Sequence, residues 1–290
     1  MNRLEERMVE VLRELKETYG ALSIRAEFEE EGTKLEEMLR FKEIAMAAGL
    51  NLTLKIGGCE SMRDMLESRI VGVNTLAAPM IESAYALKKY LLAVAKVFPR
   101  EEREHLEILC NIETMTALKN FEGMLGISEI SGLDGIVVER VDLCFSQGMP
   151  EAGIDDPKIN TLVRDVLTKA KKAKLTTTIG GGVSANSIEF FKDIRDVLTR
   201  YETRKVTFET SRALKGKSAE GILKAIFFET LWLKNKMTFQ QGIYEKDRRR
   251  LDLLSQRYGD TFQSDIPVEA GSPVESPAAL PGRQGKGHAS

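Results

Sequence analysis

Glu113 and Asp142 are the side chains whose type and placement most directly suggest chemistry. Each stands where an apolar, strand-like run stops, the first in Leu106–Thr114 and the second in Ile136–Leu143. In folds that alternate strands and helices, the carboxyl ends of the strands carry the active site, so two acids at successive strand ends suggest a shared cation. Hard oxygen donors select Mg²⁺ or Mn²⁺ and leave coordination positions for water and substrate oxygens. Glu113 follows Ile112, and Asp142 lies between Val141 and Leu143. A carboxylate buried there costs several kcal/mol unless it is paired or metal-bound. Two acids at this separation are common in proteins, and a solvated rim of charges is the competing explanation for each.

Lys55, in Leu52-Thr53-Leu54-Lys55-Ile56-Gly57-Gly58, has three readings. It is a solvent-facing lysine, an electrophile polarising a keto oxygen beside a metal, or a Schiff-base nucleophile. Gly57 and Gly58 either let a ligand approach the backbone or shape a turn. Only two histidines exist, His105 before a strand and His288 near the end, so proton transfer falls to metal-bound water, to Glu29 or Glu30, or to a lysine. Arg140 and Arg212 are candidates for holding a substrate carboxylate or phosphate, and Glu82 is a further rim acid. The run Thr176–Ser187 passes through Gly180, Gly181 and Gly182 towards a helix; it is a weak anion cradle or simply a tight turn.

These residues need a scaffold, and the pattern supplies one. Leu4, Met8, Val11, Leu12 and Leu15 recur at helical spacing, which predicts an opening amphipathic helix. Seven short apolar or β-branched runs then alternate with helical stretches: 22–28, 52–56, 73–79, 106–112, 135–138, 175–179 and 205–208. The alternation predicts an α/β fold with a parallel sheet, closed into a (β/α)₈ TIM-barrel-like form or open and doubly wound. Seven strands are one short of a complete barrel. A C-terminal helical extension follows Arg212, with Ile222, Leu223, Ile226, Phe227, Leu231 and Leu233 expected on one side, covering the barrel or packing across a subunit interface. Residues 1–262 are read as a single domain, and 263–290, rich in Pro, Gly, Ser and Ala, as a disordered tail.

Composition narrows the function. A chain of 290 residues with 42% hydrophobic content can bury one large core. Its net charge of −2 argues against nucleic acid and anionic membranes as partners. Cys59, Cys110 and Cys144 show no CxxC spacing, and no apolar run reaches membrane-spanning length. A cytoplasmic small-molecule enzyme is expected.

The succession Leu54-Lys55-Ile56-Gly57-Gly58, Ala77-Ala78-Pro79-Met80-Ile81-Glu82-Ser83, Asn111–Asn120 and Leu133–Met149 resembles the HpcH/HpaI aldolase and citrate lyase family. The resemblance runs from about Glu27 to Arg212 and implies a metal-dependent (β/α)₈ barrel. In that family the Glu of the Ile-Glu-Thr element and the Asp of the Asp-Leu element bind Mg²⁺ or a similar cation that chelates pyruvate or its enolate, roles that pass to Glu113 and Asp142. It implies a carbon–carbon lyase or aldolase acting through a pyruvate-type enolate on a 2-keto acid, with an aldehyde as the other substrate; a homo-oligomer is expected as well. A branch associated with bacterial surface-polysaccharide synthesis is similar too and would make the substrate a sugar acid.

The departures are specific. Lys55 stands where aldolase members have an arginine, the loop after the first strand has no histidine, and Glu139-Arg140 replaces a Gly-Pro, adding charge near the pyruvate site. Alternatives are an acyl-CoA lyase of the citrate lyase β-subunit type, for which Arg63, Arg69 and Lys88 are the uncommitted bases, and a non-catalytic barrel that binds a sugar acid.

Overall fold

The computed structural model describes residues 1–28 and 30–262, and its strands are built on a period of two. Successive side chains of a strand point to opposite faces. In β1 (Ala21–Glu27), Ile24 and Ala26 join the main apolar core under the helices, while Ser23, Arg25 and Glu27 face the barrel axis. Seven further strands follow: β2 (Asn51–Lys55), β3 (Thr75–Ala78), β4 (Glu107–Ile112), β5 (Gly135–Glu139), β6 (Thr176–Gly180), β7 (Arg200–Glu202) and β8 (Val206–Glu209). They close into an eight-stranded barrel in sequence order.

Inside the barrel only Ala77, Leu109 and Val137 form an apolar island, separate from the main core. Below it Glu107 binds Arg200 at 2.7 Å and Thr75 at 3.0 Å; Ser23 and Thr53 share a hydrogen bond of 3.0 Å. A polar interior is unusual for a barrel packed with branched aliphatics. It concentrates charge on the axis.

The eighth strand is β7, only three residues long and charged at both ends, too short to show a period in the sequence. The expectation of a wholly parallel sheet is corrected at β8. Strands β1 to β7 pair in parallel, whereas β8 runs antiparallel to both β7 and β1. The cause is the connection: Thr203, Arg204 and Lys205 turn the chain back at once, with the Thr203 N–H donating to the Val206 carbonyl at 2.9 Å, and three residues leave no room for a crossover helix.

The reversal sends the chain to the opposite end of the barrel, where the Glu209 N–H donates to the Gly20 carbonyl at 2.9 Å. Gly20 caps the first helix (Arg3–Tyr19) at φ 75°, and a Cβ there would lie 2.8 Å from Cβ of Arg212. Glycine is required on both counts.

The last helix, Ser218–Phe262, lies against the first: Tyr19 donates to Glu220 at 3.1 Å and Asn2 to Asn235 at 2.7 Å. Its buried face is Ile222, Ala225, Phe228, Leu231 and Trp232, with Phe228 and Trp232 against Phe41 at ring separations of 6.0 and 4.6 Å. The face expected from sequence is therefore corrected. Ile222 and Leu231 are buried, but Leu223, Ile226, Phe227 and Leu233 are exposed, because those six positions do not share one side of the helix. One compact unit comprises Met1–Thr238, and a second begins at Phe239. The expected tail, 263–290, lies outside the described residues. Among the described residues no helix is long and apolar enough to cross a membrane.

Candidate active site

Strands β1, β2, β5 and β7 end on Glu27, Lys55, Glu139 and Glu202, and these four side chains with Arg25 line a cavity of about 510 Å³ at the carboxyl end of the barrel. Arg25 is the hub. Its guanidinium lies 2.8 Å from Glu139, 3.1 Å from Glu202 and 3.3 Å from Glu27, and all four groups are nearly fully buried. Burial works against the Arg25 charge, but the carboxylates of Glu202, Glu139 and Glu27 outweigh it and hold its pKa above the usual value. Burial likewise pushes Glu27 up, and Arg25 and Lys55 more than reverse this. Glu202 goes the other way: burial lifts it to about 7, with the Glu139 charge adding to the effect and Arg25 opposing it.

Glu113 extends the inward row of β4, following Leu109 and Asn111, and is 2% exposed. Its carboxylate accepts the Met80 N–H at 2.5 Å and Asn111 Nδ2 at 2.9 Å. Met80 makes that contact from a left-handed backbone, φ 53°, a costly conformation for a residue with a side chain. Burial raises Glu113 to about 7 despite both hydrogen bonds, and Glu139 adds to the rise.

Asp142 differs from expectation. Strand β5 stops at Glu139, and Asp142 is an exposed residue in the first turn of the helix Arg140–Phe145, on the cavity wall. Among the described residues no three His, Cys, Asp or Glu side chains are already gathered as a metal cage. The donor chemistry still fits a hard cation: carboxylates outnumber bases seven to three among the cavity's lining residues, and Mg²⁺ is commonly held by one or two carboxylates while it keeps several waters.

Residues 53–185 match the HpcH/HpaI aldolase/citrate lyase family. Over that stretch, just under half of the chain, the sequence is similar to the family. Solved structures agree on the fold. An HpcH/HpaI aldolase from Desulfitobacterium hafniense DCB-2 superposes with a TM-score of 0.56 at 15% identity, covering 76% of this chain and 88% of that one. A family protein from Burkholderia cenocepacia J2315 gives 0.56 at 14%, covering 85% and 100%. The citrate synthase SbnG gives 0.52 at 14%, covering 64% and 78%. No curated protein matches the sequence. The match to an aldolase/citrate lyase family suggests a carbon–carbon lyase.

The remaining predicted site residues fall unevenly. Lys55 is in the cavity, 3.4 Å from Glu27. Glu30 lines the mouth and pairs with Arg204 at 3.2 Å; Glu29 lies outside the described residues. Gly181 lines the cavity at φ 74°, where a Cβ would come within 2.7 Å of the backbone nitrogens of Arg140 and Val141. Gly57 and Gly58 instead make the turn before the helix Met62–Val71, the Gly57 N–H donating to Asp64 at 2.7 Å. Glu82 is beside the cavity rather than in it, accepting from Thr114 Oγ1 at 2.5 Å. Arg63, Arg69 and Lys88 are paired with Glu67, Glu102 and Glu129, away from the cavity.

Two arginines are corrected. Arg212 is at the far end of the barrel, donating to the Lys16 carbonyl at 3.2 Å, because β8 descends. Arg140 is fully buried outside the barrel wall, with Asp155 at 3.1 Å, Ser187 Oγ at 3.0 Å and the Phe191 ring centroid at 5.6 Å. Arg140→Met should lower stability by about 1–3 kcal/mol, measured by urea unfolding.

The groups that sequence reasoning passed over are Arg25 and Glu202. Ser23-Ile24-Arg25-Ala26-Glu27 alternates polar and apolar, the pattern of a strand with one polar face, and that alternation was the available signal.

Proposed function

We propose that the protein is a divalent-cation-dependent carbon–carbon lyase that acts through the enolate of a 2-keto acid such as pyruvate and releases or accepts an aldehyde. Glu113 carries the reading: a carboxylate buried beside Glu139, on the Ile-Glu-Thr element of a family of such lyases, is a charge in need of a cation. Glu113 and Asp142 would hold Mg²⁺ or Mn²⁺, with water and substrate oxygens completing its coordination. When bound, the cation supplies Lewis-acid stabilisation of negative charge on substrate oxygen.

The chain's own residues have distinct tasks. Lys55, at the end of β2, presents its ammonium to a keto oxygen. Arg25 keeps three carboxylates in fixed positions, so that the cavity is ordered before substrate arrives. Gly181 leaves space where any side chain would strike the start of the helix Arg140–Phe145. Phe145 and Val141 give the wall an apolar patch that sheds water. The same reading has the enzyme working on small molecules in the cytoplasm as a homo-oligomer, and the exposed Leu223, Phe227 and Leu233 support the last point.

The test is exchange of the pyruvate methyl protons with solvent, together with cleavage of aldol adducts. Treatment with a chelator should abolish both, and Mg²⁺ or Mn²⁺ should restore them. Activity that survives chelation, with substrate trapped on Lys55 by borohydride, would replace this mechanism with a Schiff-base one.

A further inference from the structure

Of the residues first considered for proton transfer, Glu29 lies outside the described residues. Glu30 is exposed and held by Arg204, and the family's loop histidine is absent. Glu27 offers what they lack. It is 4% exposed, lines the cavity, and pairs in register with Lys55 of the neighbouring strand. Oε1 lies 3.3 Å from Arg25; Oε2 is buried without a hydrogen-bond donor, its ion-pair contact to Lys55 Nζ being 3.4 Å. A buried carboxylate oxygen without a hydrogen bond is destabilising, and a substrate group completing the contact accounts for its persistence.

We propose that Glu27 is a catalytic residue, the general base that takes a proton from C3 of the bound 2-keto acid while Lys55 meets the keto oxygen. The assignment rests on the keto-acid reading above. The C3–H bond breaks and its proton forms an O–H bond to Glu27 Oε2. The bonding pair becomes the C2=C3 double bond, and the carbonyl π pair moves onto the oxygen that faces the Lys55 ammonium. In the cleavage direction Glu27 takes the proton of the C4 hydroxyl as the C3–C4 bond breaks to aldehyde and enolate, and then gives that proton to C3 of the enolate.

Two features suit Glu27 to the task. Arg25 and Lys55 keep it ionised against the effect of burial. When it becomes neutral, Glu139 and Glu202 still hold Arg25, so the hub keeps its place. Glu202 Oε1 is buried without a hydrogen bond too, but Glu202 has no lysine beside it in register and its other oxygen accepts from Thr207 at 3.1 Å.

The experiment follows pyruvate methyl exchange in D₂O by NMR on the full-length, Mg²⁺-loaded protein, with pyruvate Kd measured alongside. Glu27→Gln keeps the shape of the side chain and should slow exchange by about 100-fold or more while Kd stays within about threefold. Exchange within about threefold of wild type in that variant would overturn the assignment and leave the keto-acid reading standing. Wild-type protein that binds pyruvate but does not exchange its protons would overturn both. Should Glu27→Gln not fold, Glu27→Asp preserves the charge and withdraws it by one methylene: exchange slowed at least about tenfold supports the role, and an undiminished rate rejects it.

Discussion

Glu113→Gln is expected to make the metal-free protein more stable at about pH 8 and to leave it without lyase activity. The folded protein holds the Glu113 carboxyl at about 7, against an unfolded value near 4.3, because burial disfavours its charge. A carboxyl raised in this way binds its proton more tightly in the folded state. Its stabilising effect is complete below the unfolded pKa and is lost as pH rises through about 7. Above that, the ionised side chain costs the metal-free fold up to about 4 kcal/mol. Glutamine removes the cost but gives up one acceptor for the Met80 or Asn111 donor, a loss of about 1 kcal/mol. The net gain at alkaline pH is therefore about 2–3 kcal/mol, and it should vanish below about pH 5.

Cation binding reverses the order. Mn²⁺ or Mg²⁺ should raise the melting temperature of wild type by mass action and leave Glu113→Gln unmoved, while aldol cleavage in the variant falls by about 10²- to 10³-fold. Thermal melts with chelator and with added metal, at acidic and alkaline pH, measure every term. A variant whose melting still responds to Mn²⁺ as wild type does would remove Glu113 from the cation's ligands.

Arg25→Met should produce the largest loss of stability in the barrel, about 3–5 kcal/mol. The variant keeps most of the side-chain volume and strands three carboxylates, Glu27, Glu139 and Glu202, in a buried site without their common counter-ion. Deprived of Arg25, Glu27 loses the main influence that lowers it and joins Glu202 above the normal carboxyl range. The variant should accordingly gain stability as the solution is acidified, because protonation then relieves the repulsion. Combining Arg25→Met with Glu139→Gln should recover part of the loss, and the recovery measures their coupling in a double-mutant cycle by urea denaturation. Purely additive effects would mean that the two do not act as a pair.

The barrel could be read from its apolar runs, because strands buried under helices stay apolar on their outer face whatever they carry inside. The charged axis was harder to see for the same reason: Ile24 and Ala26 announce a strand, while the inward Arg25 between them looks like an interruption. Glu139 and Arg140 make the point as neighbours. One points to the axis and the other out of the wall, and only the register of β5 decides which reaches substrate. Glu113 was legible, since Leu109, Asn111 and Glu113 keep one phase. Arg212 was misplaced because its position depends on the direction of β8, which three residues of turn determine and no periodicity records.

The hairpin of β7 and β8 also sets the order in which the molecule can be completed. Arg25 and Glu27 leave the ribosome early, but the β1–β8 seam and the Glu202 arm of the hub join residues roughly 180 positions apart in the chain. Until the last strands have been synthesised, the nascent protein carries an open sheet edge and a cluster of acids missing one of its supports. β8 reaches its seam through a local turn rather than a long crossover, so closure of the ring is a late step that waits for β7 to find its place beside β6. Ribosome-bound chains ending before β7 are the species most exposed to edge-to-edge association and to capture by chaperones.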